Sequence, residues 1–313
     1  MRLIIFFLLL SLGADAQIIR ANPFYVPQPS GVTYLLDAYP NAAAAYSLRK
    51  LKASYSGSAI RIRRDSTGNA ETDIGFTANG DLDTAAIKNH CRNNSCMVTT
   101  WYDQSGNARN ATQSTAANQP RIITSGVIDK IGGKIGIKPD GSNDFLNIAT
   151  GLNILQNKGY GYLFSVACNT NTSISYLFFL SNNISGTARF LFDFNRSASK
   201  TGLGGRRLDA DAFQSIQAST NYSTTALQLH EGRIDYATSD AYIYLNSTQV
   251  ASNTSFQTNG NTSNTASASF SIFGYSSSNY MQGYCSEIIF FNTDQSSNRT
   301  GIETNINNYY GLW

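Results

Sequence analysis

Several carboxylates in the second half of the chain could do acid–base or nucleophilic work: Asp193, Asp209, Asp211, Glu231, Asp235, Asp240 and Glu287. Two carboxyl groups facing each other across a cleft can cleave an acetal, one donating a proton and the other attacking or activating water. Each of these acids also has an ordinary reading. Asp209 and Asp211 sit in a Gly-Arg-rich loop and are expected to be solvated. Glu231 and Asp235 are expected to flank a turn, and Glu287 to lie on the last strand. Asp103, in Trp101-Tyr102-Asp103-Gln104-Ser105-Gly106-Asn107, is expected to close a turn through an Asx hydrogen bond, with Gly106 at positive φ.

Other chemistries find no support. The histidines are His90 and His230, and neither stands beside a nucleophile motif, so a Ser-His-Asp set is not arguable. No glycine-rich loop has the strand–helix context that cradles phosphate. Cys91 and Cys96 have a spacing also found in metal sites, but only His90 is near them, so neither a metal nor a cofactor is expected. A net charge of +3 with 14% charged residues makes no case for nucleic acid. The run Arg61-Ile62-Arg63-Arg64 reads as the solvated face of a strand. The 18 Tyr and 17 Phe, with Asn, Ser and Thr in the loops, suit contact with sugars. Ring faces can stack on a sugar while amides bond its hydroxyls.

The elements that would carry these residues are mostly strands. Residues 1–16 read as a signal peptide: Arg2, an apolar run from Leu3 to Leu12, then Ala14-Asp15-Ala16. The apolar run is too short to span a bilayer, so an exported protein, extracellular or periplasmic and without membrane insertion, is expected. Residues 17–36 are an extended lead-in. The alanines after Asn41 suggest a helix through residue 52, and 81–90 suggests a second helix. Strands are expected at 59–64, 97–102, within 132–148, and at 161–169, 188–195, 240–252 (a hairpin turning at Asn246-Ser247), 269–275 and 282–292. Residues 296–313 suggest a closing helix with a Ser or Asn cap. Short strands with regular turn signals imply a β-sandwich. In an oxidising compartment Cys91 and Cys96 are expected to bond across their turn. Cys168 and Cys285 would then form a second bridge between neighbouring strands, or remain buried thiols.

Two blocks sharpen this reading: AYSLRKLKASYSGSAIRIRRDSTGNAETDIGF (45–76) and CRNNSCMVTTWYDQSGNARNATQ (91–113). Together they resemble the opening of the alpha-L-arabinofuranosidase B catalytic domain, a glycosidase family with a concanavalin A-like jelly roll. The resemblance implies one jelly-roll domain over 37–313, mostly β with a few short helices in the N-terminal third and at the C-terminus. It also implies the Cys91–Cys96 disulfide, a sugar site and, as in related jelly rolls, a structural acid on the last strand at Glu287. The family's strand Asp matches Asp193, but Asn195 stands where its nucleophilic Glu is expected, and an amide cannot be that nucleophile. The loop expected to bear the acid/base Asp reads Ser276-Ser277-Ser278-Asn279, with no acid. Tyr275, Tyr280 and Tyr284 flank it. Carbohydrate contacts are therefore expected from Asp193, Asn195, Tyr275, Asn279, Tyr280 and Tyr284. The leading expectation is an exported, non-catalytic carbohydrate- or cell-surface-recognition protein. The alternatives are a retaining alpha-L-arabinofuranosidase acting on polysaccharide side chains, and a structural or adhesive exported protein.

Overall fold

The computed structural model describes residues 33–151, 153–181, 187–275 and 278–313. The leader, the lead-in up to residue 32, and Ser276-Ser277 lie outside the described residues. A single helical turn, α1 (Leu35–Ala38), precedes β1 (Ala44–Ser47). A hairpin of β2 (Ile60–Arg64) and β3 (Glu71–Ile74) follows, then α2 (Thr84–Cys91), β4 (Cys96–Trp101) and β5 (Ala111–Thr112). The next strands are short: β6 (Arg121–Thr124), β7 (Val127–Ile128), β8 (Lys130–Ile131), β9 (Lys134–Ile135) and β10 (Leu146–Asn147). Longer ones follow: β11 (Tyr160–Asn169), β12 (Ser175–Ser181) and β13 (Ala188–Phe194). Then come β14 (Gly202–Gly205), β15 (Gln214–Gln217) and β16 (Gln228–Asp235). The last strands are β17 (Asp240–Leu245), β18 (Thr248–Asn253), β19 (Phe270–Ile272) and β20 (Gly283–Phe291), and α3 (Arg299–Tyr310) closes the chain.

Two antiparallel sheets face each other, as the sandwich reading expects. One runs β1-β20-β11-β16-β17-β18; the other runs β15-β14-β13-β12-β19-β10-β5-β4-β2-β3, with β6 and β7 continuing from β4. Phe178, Phe190, Phe192, Leu163, Ile288 and Phe290 fill the space between them. The six-stranded sheet is covered on its other face too, by Ile302, Ile306 and Tyr310 of α3 over Tyr162, Phe164, Val166 and Phe291. That double burial is why β11 is a nearly unbroken apolar run.

The two blocks singled out in the sequence lock onto each other. β1 is an edge strand, paired on one side with β20. On its open side the 103–109 loop takes the place of a neighbouring strand. Asp103 Oδ1 accepts from Ala45 N–H at 2.9 Å, and Gln104 N–H donates to Ala45 O at 2.7 Å. The Gln104 carboxamide donates to Ser47 O and Arg49 O, each at 3.0 Å, and accepts from Leu51 N–H at 2.8 Å. Asn107 Nδ2 donates to Ala42 O and Ala43 O. Asp103 also accepts from Ser105 N–H and Arg109 N–H, which is the expected Asx turn, with Gly106 at φ 92°. Beside it, Arg49 makes a two-pronged bond to Glu287 at 2.7 and 2.9 Å, and Ser47 and Tyr310 donate to the same carboxylate. Glu287 is thus the structural acid that was expected.

Two expectations are corrected, and the open choice at Cys168 and Cys285 is decided. The helix from Asn41 does not form: Asn41 sits at φ 69°, and Ala44 and Ala45 open β1. Alanine's helix preference is a few tenths of a kcal/mol per residue at most, and β1 gains a full ladder with β20 and burial on both faces. The Arg61–Arg64 run is not a solvated face throughout. Arg61 is exposed, but Arg63 is buried and bonds Gln119 and Asn69. Cys91 and Cys96 are bonded, whereas Cys168 and Cys285 are separate buried thiols on neighbouring strands. Register explains the absent second bridge. Cys168 pairs with Tyr284 and Cys285 with Ala167, so a one-residue offset sends the sulfurs to opposite faces. Cys168 packs under α3 and Cys285 packs between the sheets.

Two outcomes test this account. Gln104→Ala leaves buried backbone groups at Ser47, Arg49 and Leu51 without partners and should cost about 3 kcal/mol in urea unfolding. A loss below about 0.5 kcal/mol would show that water replaces the carboxamide. Thiol titration of the unreduced protein should find no reactive cysteine in the folded state and the Cys168 and Cys285 thiols after unfolding.

Candidate functional site

The outer face of the long sheet carries a small aromatic groove over β12 and β13. Its floor is Phe179, Ala188 and Leu191, packed with Tyr176, Phe213 and Tyr275. Tyr176 stacks on Phe179 with ring centres 5.7 Å apart and planes 2° apart, and Tyr275 leans on Phe179 at 4.6 Å. The cavity measures about 220 Å³ and is rimmed by Ile174, Arg196 and Arg206. Such a lining, apolar with a few polar groups at its edge, suits one small ring-shaped ligand.

Asp193 lies beneath this rim. It is fully buried on β13, cross-strand from Tyr176 and Gly202. Arg196 covers it, with Nε donating to Oδ1 at 3.2 Å and a second guanidinium nitrogen donating to Oδ2. Burial pushes the Asp193 carboxyl up to about 6, although Arg196 and the Gly202 N–H pull the other way. Gly202 is required here, because a Cβ would collide with Asp193 Oδ1 and Arg196 Nε. Gly204, on the same face, leaves room for the Phe213 ring.

The structure brings some of the sequence-derived site residues together and separates others. Asn195 follows Asp193 at the end of β13, at φ 60°, and its Oδ1 accepts from Ser199 N–H at 2.8 Å. Tyr275 is in the groove wall, and Asn279 O accepts from Tyr176 N–H at 2.8 Å. Tyr280 instead faces Phe145, 6.3 Å between ring centres. Tyr284 is on β20 in the opposite sheet, with Lys138 over its ring at 5.2 Å. The other acids are engaged elsewhere. Asp209 is not solvated: it bonds buried Arg189 at 2.7 Å and Thr265 at 2.5 Å. Asp211 accepts from Leu208 N–H in its own loop. Asp235 flanks the β16–β17 turn as expected, at the end of β16, whereas Glu231 sits within β16 away from the turn. Burial and neighbouring Glu303 push Glu231 well above the usual carboxylate range, and Asp235 bonds Arg233. Asp240 accepts from Thr238 Oγ1 in the β16–β17 turn. Among the described residues no second carboxyl joins Asp193 at the groove.

Sequence reasoning missed Tyr176, Phe179, Phe213 and Arg196. Simple alternation along Ser175–Ser181 puts Tyr176 and Phe179 on opposite faces. A bulge between Tyr176 and Phe178 breaks the alternation and sends both rings outward. The signal that could have found Arg196 is its three-residue distance from Asp193 across a tight turn.

The Asp193 environment makes a pH prediction. The carboxyl ionises near 3.8 when free and near 6 when folded. Stability from the protonated form is therefore complete below about pH 4 and lost as pH rises through about 6. Asp193→Asn lacks this dependence, so its stability relative to wild type should climb across that window in urea unfolding. Parallel curves for the two proteins would show that Asp193 does not titrate there.

With this geometry in place, known proteins give a context. The family model "Alpha-L-arabinofuranosidase B, catalytic" matches residues 33–137. The alpha-L-arabinofuranosidase B of Emericella nidulans is 32% identical over 161 residues, covering 51% of this chain and 29% of that protein. That of Aspergillus kawachii is 31% identical over 133 residues, covering 42% and 26%. The chain thus spans less than a third of the length of these relatives. A solved GH54 arabinofuranosidase soaked with a cyclic sulfate inhibitor superposes with a TM-score of 0.64 at 16% identity, over 87% of this chain and 64% of that one. An arabinofuranosidase complexed with arabinofuranosyl-alpha-1,2-xylobiose gives 0.60 at 17%, with the same coverage. The resemblance read from the two blocks is borne out: residues 33–137 match the alpha-L-arabinofuranosidase B catalytic-domain family in sequence, and the sandwich around them shares the fold of solved arabinofuranosidases.

Proposed function

We propose that this protein acts on arabinofuranosyl-bearing glycans as a glycoside hydrolase of the arabinofuranosidase B type, with the groove above Asp193 as its sugar site. The relatives favour this over the recognition-only reading of the sequence. The observation that carries it is Asp193, a carboxyl held near 6 beside an aromatic pocket of monosaccharide scale. A proton donor to a glycosidic oxygen needs an ionisation in that range, which burial provides. Arg196 must swing off the carboxyl before it can reach a substrate. Asn195 cannot attack the anomeric carbon as a carboxylate does, so turnover is expected to be slow, by roughly three or more orders of magnitude against a complete pair. We take residues 37–313 as one domain, since Arg49 near its start and Glu287 and Tyr310 near its end meet in one buried cluster. We also infer export, supported by the leader pattern and the Cys91–Cys96 bond.

A second reading is recognition without turnover. Its support is specific: Asp193 is sealed by Arg196, Asn195 is tied to Ser199, and no second carboxyl among the described residues lines the groove.

One assay separates the two. Purified protein is offered 4-nitrophenyl α-L-arabinofuranoside, and release of nitrophenol is followed beside calorimetric binding. The hydrolase reading expects slow turnover that Asp193→Asn abolishes while binding persists. Saturable binding with no release in wild type would establish recognition alone. Neither binding nor release would end both readings.

A further inference from the structure

We propose that Arg206 is a carboxylate-binding residue of the groove, and that the glycan recognised there is acidic: an arabinofuranosyl ring lies on the aromatic floor, and the unit bonded to it is a uronate. This rests on the reading of the groove as a sugar site and names a specificity which that reading leaves open.

An uncompensated guanidinium carries the proposal. Arg206 follows β14 directly, and its backbone N–H donates to Arg189 O at 3.3 Å. Gly202 and Gly204 face the groove side, and Arg206, two residues beyond Gly204, continues that side into the rim. Its Nε is buried without a hydrogen-bond partner, and its side chain makes no ion pair or hydrogen bond to other described residues. The buried arginines Arg49, Arg63, Arg189 and Arg233 differ, because each gives guanidinium nitrogens to a carboxylate. Arg196, the other cation at the rim, gives its own to Asp193. The acids nearest Arg206 in the chain are engaged elsewhere: Asp209 with Arg189 and Thr265, and Asp211 with the Leu208 N–H.

The groove therefore presents a net positive charge. Asp193 and Arg196 offset each other, and Arg206 remains at the edge of the aromatic floor. A half-buried cation has lost part of its hydration, and an anion replaces that loss best. The planar guanidinium fork matches a carboxylate through two parallel hydrogen bonds. A cavity of about 220 Å³ holds one sugar ring, so the carboxylate belongs to the next unit, at the rim where Arg206 stands. A uronate supplies that group within a glycan. A neutral unit in the same place would exclude water from the guanidinium and return no charge-assisted bond.

Calorimetry with a matched pair of probes tests this. The pair is methyl galacturonide and methyl galactoside, each bearing α-L-arabinofuranose at O3 and differing only in a carboxylate against a hydroxymethyl group. A third probe, 4-nitrophenyl α-L-arabinofuranoside, fills the groove alone. The wild type should bind the uronide about tenfold more tightly than the galactoside. Arg206→Gln should bring the two affinities together. Arg206→Lys, which keeps the charge and loses the fork, should leave an intermediate ratio and serves as the second variant. Lys134→Gln removes the same charge at an exposed position and should keep the full preference. Equal affinities for the pair in the wild type, a preference undiminished by both Arg206 variants, or its loss in Lys134→Gln would overturn the assignment. In each of those cases, binding of the aryl glycoside would leave the groove standing. A wild type that binds none of the three probes would remove the groove reading and the carboxylate site with it.

Discussion

The open edge of β1 is the constraint on which the rest of this structure depends. An edge strand presents unpaired backbone groups, and β1 is buried, so those groups must find partners or cost folding free energy. The 103–109 loop supplies them from Asp103, Gln104 and Asn107. With β1 fixed, Arg49 is delivered to Glu287, and α3 closes over both through Tyr310 and Asn305. A buried ion pair is favourable only when its remaining bonding capacity is used. Here Glu287 receives Ser47, Tyr310 and both prongs of Arg49, and the guanidinium also lies 5.0 Å from the Tyr309 ring centre. The blocks most visible in the sequence therefore encode a structural interlock, some distance along the sandwich from the groove where chemistry would occur.

The groove is built by different means. A flat, regularly alternating strand pair would turn Tyr176 and Phe179 to opposite sides. The β12 bulge turns both outward, and the glycines of β14 remove the side chains that would otherwise fill the space. The result is a shallow pocket whose one acid is buried under an arginine. The Asp193–Arg196 pair differs from Arg49–Glu287 in a way that bears on function. Glu287 is saturated with donors, whereas Asp193 is held by the Gly202 N–H and by Arg196, a partly exposed residue on a turn. The first pair is enclosed by its surroundings; the second has its arginine partly exposed at the surface.

Much of the fold was legible beforehand. The 161–169, 188–195 and 282–292 segments are β11, β13 and β20, and the Asn246-Ser247 hairpin turns with both residues at positive φ. These elements have strong local signals: long apolar runs or turn formers. The 81–90 helix appears as α2, with Asp83 accepting from Ala86 N–H as its cap. The alanine run failed because local preference was outweighed by a ladder with β20, a partner more than two hundred residues away. Asp209 failed for a similar reason, since its loop folds back onto Arg189 and Thr265.

By itself, then, the sequence determined the sandwich class, the short-range disulfide, the Asx turn at Asp103 and the kinship of the first third. Each depends on residues close together in the chain or on a repeating pattern. Tertiary structure alone decided which rings share a face, which acids are paired and which are buried. It also decided that Cys168 and Cys285 cannot meet. Those outcomes hang on register between strands far apart in sequence, and a shift of one residue exchanges the inner and outer faces.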